Sequence, residues 1–278
     1  MSSLPIKKIY CDTKFKRRDS KSTSNFKIDL PQTLKLPDNC VCYIDDVSIP
    51  RTFYTVETGV NDKLYFRLQL ANGGTYYDYI ITLASKNYNG VQFAAEIQSK
   101  IQAVTGGAAT STSYDGQTKK MSVSVANMNI NFFTDEELKD LPNWGAGLGT
   151  GGIYDPKNTS CGNELLTNVT ALLATPTATF YLNLTPVRNI YMKSPNLSSF
   201  NTIGCNGESS IIKKIPVNAA PGEMITSFIT SSTDFIPCNN LTLKTIEIQL
   251  QDVNGNEINL HNMNMSFSIL FDVMNSDQ

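Results

Sequence analysis

The last third of the chain carries a pattern that few folds can accept. Ile246, Ile248 and Leu250 alternate with Glu247 and Gln249, and the turn sequence Asp252-Val-Asn-Gly-Asn256 follows. A period of two is the signature of a strand with one buried face, and Asn-Gly offers the positive φ angles of a tight reversal. Ile258 and Leu260 keep the same parity. Parity then flips at His261-Asn262, after which Met263, Met265, Phe267, Ile269, Phe271 and Val273 form an odd-numbered row. A one-residue slip sends a row to the other face of its sheet unless the strand bulges or bends. The expectation is a long hairpin over residues 241–273 with a bend at His261-Asn262.

The same alternation recurs upstream. Leu64, Phe66, Leu68 and Leu70, the turn Ala71-Asn-Gly-Gly, then Tyr77, Tyr79, Ile81 and Leu83 predict a second hairpin. Strands are expected at 26–30, 41–49, 121–125, 129–133, 180–184, 211–217 and 224–229. Two helices interrupt them. Phe93, Ile97, Ile101 and Val104 recur at helical spacing behind the N-cap candidate Asn89, and Thr134 with Glu137 fits a capping box. Eight or more short strands joined by Pro, Gly and Asn turns point to an all-β chain. Its expected form is a single jelly-roll β-sandwich with one or two short helices and a loop-rich insertion. The boundaries read as a basic N-terminal arm, residues 1–24, and a jelly-roll domain, residues 25–275, with the insertion around 86–205.

Charge is sparse and uneven. Only 17% of residues are charged and the net charge is −2, below the roughly 25% charged of ordinary soluble domains. Asn, Ser and Thr supply the missing polarity, which suits a protein packed among neighbours and equally an ordinary β domain. Residues 1–36 hold nine Lys and Arg against Asp12, Asp19 and Asp29. Lys14, Lys16, Arg17 and Arg18 are the candidate contacts of an arm that touches neighbouring subunits or a polyanion. The alternative is a solvated, frayed terminus. The opening Met1-Ser-Ser-Leu-Pro does not read as a secretory signal, and no apolar run approaches the ~20 residues of a bilayer span. The six cysteines lack any CxxC pair. They read as free, mostly buried thiols of a protein folded in a reducing cytosol or nucleus, and sequons such as Asn168-Val-Thr and Asn240-Leu-Thr read as chance.

Catalytic chemistry finds little material. The one histidine, His261, sits at the expected bend, so multi-histidine metal sites are excluded and a turn role is expected. There is no Gly-x-Ser-x-Gly elbow. Asp45 and Asp46 are expected on opposite faces of a strand, apart from each other. Asp135-Glu136-Glu137 opens a helix, where negative charge is favourable. The Gly-rich stretch around Trp144, Gly147 and Gly151 lacks the flanking strand, helix and Lys–Ser/Thr pair of a phosphate loop, and reads as an exposed or inter-subunit loop. Tyr76, Tyr77 and Tyr79 are a candidate aromatic patch, or ordinary cross-strand packing. The reading is a non-enzyme with no cofactor, metal or small-molecule substrate.

Several runs carry a resemblance. Leu36-Pro-Asp-Asn-Cys-Val-Cys-Tyr-Ile-Asp-Asp-Val-Ser-Ile-Pro-Arg-Thr-Phe-Tyr-Thr-Val, then Asn61-Asp-Lys-Leu-Tyr-Phe, resembles the N-terminal part of penton-type minor capsid proteins of Polinton (Maverick) elements, adintoviruses and virophage-like viruses. Tyr88-Asn-Gly-Val-Gln-Phe-Ala-Ala-Glu-Ile-Gln, Thr134-Asp-Glu-Glu-Leu and Leu243–Val273 with Asp252-x-Asn-Gly-Asn are similar to the same family, so the likeness touches roughly 25–273. It implies a single jelly roll that forms a homopentamer closing icosahedral fivefold vertices, beside a double-jelly-roll major capsid protein. A spike, or the virion interior reached through the basic arm, is a further implied contact. The implied location is the virion, after synthesis in host cytoplasm or nucleus. The alternatives are a viral attachment or fibre-like sandwich that binds glycans or a receptor through Tyr76 and Tyr77, and another capsid component such as a cementing protein.

Overall fold

The computed structural model describes residues 7–71, 74–141, 154–158, 160–164, 166–167, 177–197, 202–204, 207, 210–229, 234–239 and 241–273. In chain order, strands β1 (Lys7–Asp12), β2 (Asn25–Lys35) and β3 (Cys40–Pro50) come first. They are followed by β4 (Lys63–Leu70), β5 (Tyr76–Thr82), helix α1 (Gly90–Val104), β6 (Thr110–Asp115), β7 (Lys120–Val125) and β8 (Met128–Phe132). Short helices α2 (Asp135–Lys139) and α3 (Cys161–Glu164), then β9 (Leu166–Thr167) and β10 (Thr177–Leu182), complete the middle of the chain. The chain closes with β11 (Asn189–Lys193), β12 (Ile211–Pro216), β13 (Met224–Phe228), β14 (Ile236–Pro237), β15 (Thr242–Gln251) and β16 (Ser266–Val273).

These elements form two compact units, one of residues 1–53 with 187–278 and one of residues 54–186. In the first, one sheet runs β1-β16-β3-β13, with β14 also on β3, and a second runs β12-β11-β15-β2. Every pairing is antiparallel. The order has a simple origin. Pairing first strand with last (β1 with β16), second with seventh (β2 with β15), third with sixth (β3 with β13) and fourth with fifth (β11 with β12) makes one long antiparallel ribbon. Rolling that ribbon puts the first and third pairs in one sheet and the second and fourth in the other, which is the eight-stranded jelly roll. The inward rows fill its core: Phe26 and Ile28, Cys42 and Ile44, Ile190 and Met192, Ile246, Ile248 and Leu250, Phe267, Ile269 and Phe271.

Residues 241–273 do not form the expected long hairpin. β15 pairs with β2 and β11, whereas β16 pairs with β1 and β3. Only a reversal at Asp252–Asn256 and the Gln251–Glu257 bridge look like a hairpin. In it the Asp252 carboxylate accepts from the backbone N–H of Asn254 and Asn256, both at 2.8 Å, and Gly255 takes φ +87°. The chain then bends at His261 (φ +47°) and Asn262 (φ +61°) and enters the opposite sheet. The parity flip marks a change of sheet: both rows face one core from opposite sides.

The second unit is a sheet of order β5-β4-β8-β7-β10-β9, with β6 also on β7. Its core is aromatic, with Phe66, Phe93, Phe132 and Phe180 packed around Ile97, Ile101, Met121 and Val123. α1 begins with a full capping box. The Asn89 side chain accepts from Gln92 N–H at 2.9 Å, and Gln92 reaches back to Asn89 N–H at 3.2 Å. The helix buries Phe93, Ala94, Ile97 and Ile101. Gly90 is required at its start, because a Cβ there would meet the Tyr114 ring at 2.2 Å. The interruption of the jelly roll spans residues 54–186, where 86–205 was expected. The hairpin β4–β5 belongs to the second core through Leu64, Phe66, Leu68 and Ile81, and β11 belongs to the first through Ile190 and Met192.

Candidate interaction surface

The basic N-terminal segment is the strongest functional candidate in the sequence, and from Lys7 onward it is built into the jelly roll. β1 lies at the edge of its sheet and pairs along its whole length with β16. Cys11 points into the core, and burial pushes its thiol up to about 12. Tyr10, on the other face, is 77% exposed. The Asp12 side chain then caps a 3-10 turn at Thr13–Phe15 by accepting from Lys14 N–H at 2.8 Å. Thr13 is fully buried. Its hydroxyl donates to Asn264 Oδ1 at 3.1 Å and accepts from Met265 N–H at 3.0 Å. The picture of an arm over residues 1–24 is therefore revised. Ile9 and Cys11 alternate with Lys8 and Tyr10, a strand pattern masked by the surrounding charge. Residues 1–6 lie outside the described residues.

Many of the segment's charges are spent within the domain. Lys8 pairs with Asp45 at 2.6 Å, Lys21 with Glu257 at 3.0 Å and Lys27 with Glu247 at 2.9 Å. Arg17 forks onto Asp19 at 2.9 and 3.1 Å and reaches Asp29 at 3.3 Å. Such exposed or partly exposed pairs are screened by water and add little to stability, so their main effect is to fix where cations stand. Of the four predicted contacts, Arg17 is thus engaged internally. Lys14, Lys16 and Arg18 form no ion pair among the described residues. They flank Phe15, which is 74% exposed. Aromatic rings and Arg are enriched where proteins meet, and Lys is depleted there.

The adjacent acids also stand differently from expectation. The register of β3 against β16 shifts between Ser268 and Ile269, so Asp46 faces Ser268, Ile44 faces Ile269, and Asp45 is the extra residue of a bulge. The bulge turns both carboxylates to one side. The Ser268 hydroxyl donates to Asp46 and lies 3.5 Å from Asp45 Oδ2. Nearby, Lys213 is buried and donates to the Ile44 carbonyl at 2.9 Å. Burial lowers its pKa, while Asp234, Asp45 and Asp46 oppose that shift. These groups tie strands together through hydrogen bonds and charge. His261 is likewise occupied structurally, with Nδ1 2.8 Å from the Thr52 carbonyl across the bend.

In the second unit the three tyrosines do not make one patch. Tyr79 stacks on Phe66 at 5.3 Å between ring centres, and Tyr77 faces the buried Leu68. Tyr76 points to the other face, half exposed, with the Arg67 guanidinium 4.0 Å over its ring. Arg67 in turn forks onto Asp78 at 2.6 and 2.9 Å. Trp144, Gly147 and Gly151 lie outside the described residues. Among the described residues no cluster of three or more His, Cys, Asp and Glu side chains is placed to hold a metal ion, and no helix is long and apolar enough to cross a membrane.

Among the described residues, sequence reasoning overlooked five strands: β1, β6, β11 and the two-residue β9 and β14. β1 and β11 show short alternations, Ile9/Cys11 and Ile190/Met192, which were legible. β6, Thr-Ser-Thr-Ser-Tyr-Asp, has almost no apolar side and no such signal. Exposed Phe15 beside the cations was also legible as an aromatic within a charged run.

No protein-family model matches the chain, and no curated protein matches its sequence. Among solved structures the chain is similar to the crystal structure of the mavirus penton protein, at 11% identity and a TM-score of 0.48, over 96% of this chain and 100% of that one.

Proposed function

We propose that this chain is a non-enzymatic structural protein of a viral capsid, a homopentameric penton that closes icosahedral fivefold vertices beside the major capsid protein. The observation that carries the reading is the strand order of the first unit, in which two four-strand orders interlock as a complete jelly roll. The sequence runs at 36–56, 61–66, 88–98, 134–138 and 243–273, which resemble penton-type minor capsid proteins, support it. A jelly roll of this kind buries its alternating rows and is itself rigid before assembly. A heterologous contact repeated by a fixed rotation then closes a ring. In this reading Lys14, Lys16 and Arg18 with Phe15 meet a neighbouring subunit or the virion interior, and the region around Trp144, Gly147 and Gly151 is an exposed or inter-subunit loop. Synthesis takes place in host cytoplasm or nucleus, and the mature location is the virion.

The test is the mass of the native particle, by light scattering and native mass spectrometry. Five copies are expected, with rings in negative-stain micrographs. A stable monomer at tens of micromolar, with no rings, overturns the reading. Replacing Lys14, Lys16 and Arg18 together by Glu should weaken the ring and leave the monomer's unfolding unchanged.

A further inference from the structure

Three of the six cysteines converge where β14 meets β3. Ile236 and Pro237 of β14 pair with Cys42 and Val41, so the next residue, Cys238, stands directly opposite Cys40, and its N–H donates to the Cys40 carbonyl at 2.8 Å. The two sulfurs are 3.5 Å apart, although the residues are 198 positions apart in sequence. Cys42 lies two residues along β3, on the same face as Cys40, and its thiol hydrogen-bonds to Cys238. All three are buried. We propose that Cys40 and Cys238 are a disulfide-forming modification site, oxidised by a low-molecular-weight disulfide such as oxidised glutathione when the folded chain passes from a reducing to an oxidising medium.

The backbone already has the required separation. Opposed residues of antiparallel strands hold their Cα atoms roughly 4.5–5.5 Å apart, inside the range of about 4.4–6.8 Å that a disulfide spans. The sulfurs need to close by about 1.5 Å to reach a bond of about 2.05 Å, which side-chain rotation alone supplies. The chemistry balances as two exchanges. The Cys238 thiolate attacks one sulfur of oxidised glutathione and expels one glutathione thiolate. The Cys40 thiolate then attacks the Cys238 sulfur of the mixed disulfide and expels the second. Two protein thiols lose two protons and two electrons, and one glutathione disulfide becomes two thiols.

Burial sets the rate. It pushes the Cys40 thiol up to about 12, and the Cys42 hydrogen bond together with burial raises Cys238 as well. The closed pair is therefore protonated and inert. Reaction awaits opening of the two-residue β14; Pro237 and Asn239, on either side of Cys238, are exposed. The closed bond would pin the edge of β3 to the segment after β13 and shorten the unfolded chain's freedom over a long loop.

The experiment incubates the native full chain with oxidised glutathione, alkylates remaining thiols, and maps peptides by mass spectrometry without reduction. A Cys40–Cys238 link is expected, formed over hours, with a Tm about 5 °C or more above that of the reduced chain. Cys238→Ser abolishes the link and the rise; Cys42→Ser keeps both. Alkylated Cys40 and Cys238 after days of native oxidation, a link that forms only in denaturant, or a Cys42–Cys238 link overturns the proposal. Should Cys238→Ser fail to fold, the map of the unaltered chain and of Cys42→Ser still decides. The link is read on the isolated chain, so its failure and a failure to form pentamers are separate results.

Discussion

The two units reach a β-rich core by opposite routes. The second is continuous in sequence, residues 54–186, and its strands pair mostly with near neighbours. The first is assembled from residues 1–53 and 187–278, and each of its outer ribbon pairs joins one end of the chain to the other. Their cores differ accordingly. The α1 helix packs into the second, whereas in the first Phe26, Phe267 and Phe271 sit among many Ile, Leu, Met and Cys side chains from two opposed sheets. A contiguous unit can specify itself with local signals such as caps and turns. A split unit depends on long-range register, because loop closure must be paid before any contact between its halves is gained.

Removing a large ring from each core should expose the difference most strongly. Phe132→Ala and Phe267→Ala, both fully buried, should each cost about 3–5 kcal/mol in denaturant unfolding followed by hydrogen exchange. Phe132→Ala should lower protection in 54–186 alone, and Phe267→Ala in β1, β3 and β16. Uniform loss of protection in both variants would mean that the two cores unfold as one. Next in size, Gly90→Ala should destabilise the second unit by roughly 1–3 kcal/mol, since its Cβ overlaps the Tyr114 ring. Tyr114→Ala in the same background should recover part of the loss, and no effect of Gly90→Ala would show that the helix start is free to shift. Asn89→Ala, which removes one side of the capping box, should cost about 1 kcal/mol, again confined to 54–186.

The smallest effect belongs to the first unit. Burial would raise the Glu257 pKa, but Ser22, Lys21 and Asn25 outweigh it by hydrogen bonding to the carboxylate, and the net shift is downward. A depressed carboxyl pKa contributes stability above the unfolded value of about 4.3 that is lost as pH falls through the folded value. Glu257→Gln should therefore cost on the order of 1 kcal/mol at pH 7. The gap to the unaltered chain should narrow below about pH 4 in thermal melts. A gap that stays constant down to pH 2 would break that assignment.

Local devices were readable wherever a residue's role is decided by its immediate neighbours. Asn89 at the start of α1 and Thr134 with Glu137 at α2 are seen at those positions because capping involves residues three apart. The β4–β5 hairpin was equally legible, its two rows separated by a short turn. The candidate surface was half legible. The cations were visible, but Arg17 could not be known to fold back on Asp29, twelve positions away. The bulge that swings Asp45 beside Asp46 was hidden for a similar reason, since it depends on how β16 registers against β3.

Alternation by itself determined that residues 241–273 hold strands, that one row in each is buried, and that something changes at His261-Asn262. Only the tertiary structure decided that β15 and β16 belong to different sheets, and that Cys238 lands opposite Cys40. The physical reason is that a period of two reports which face of a strand meets apolar matter and carries no information about which strand lies beside it. Partner choice is a property of the whole ribbon, fixed when the two ends of the chain pair and roll around one core.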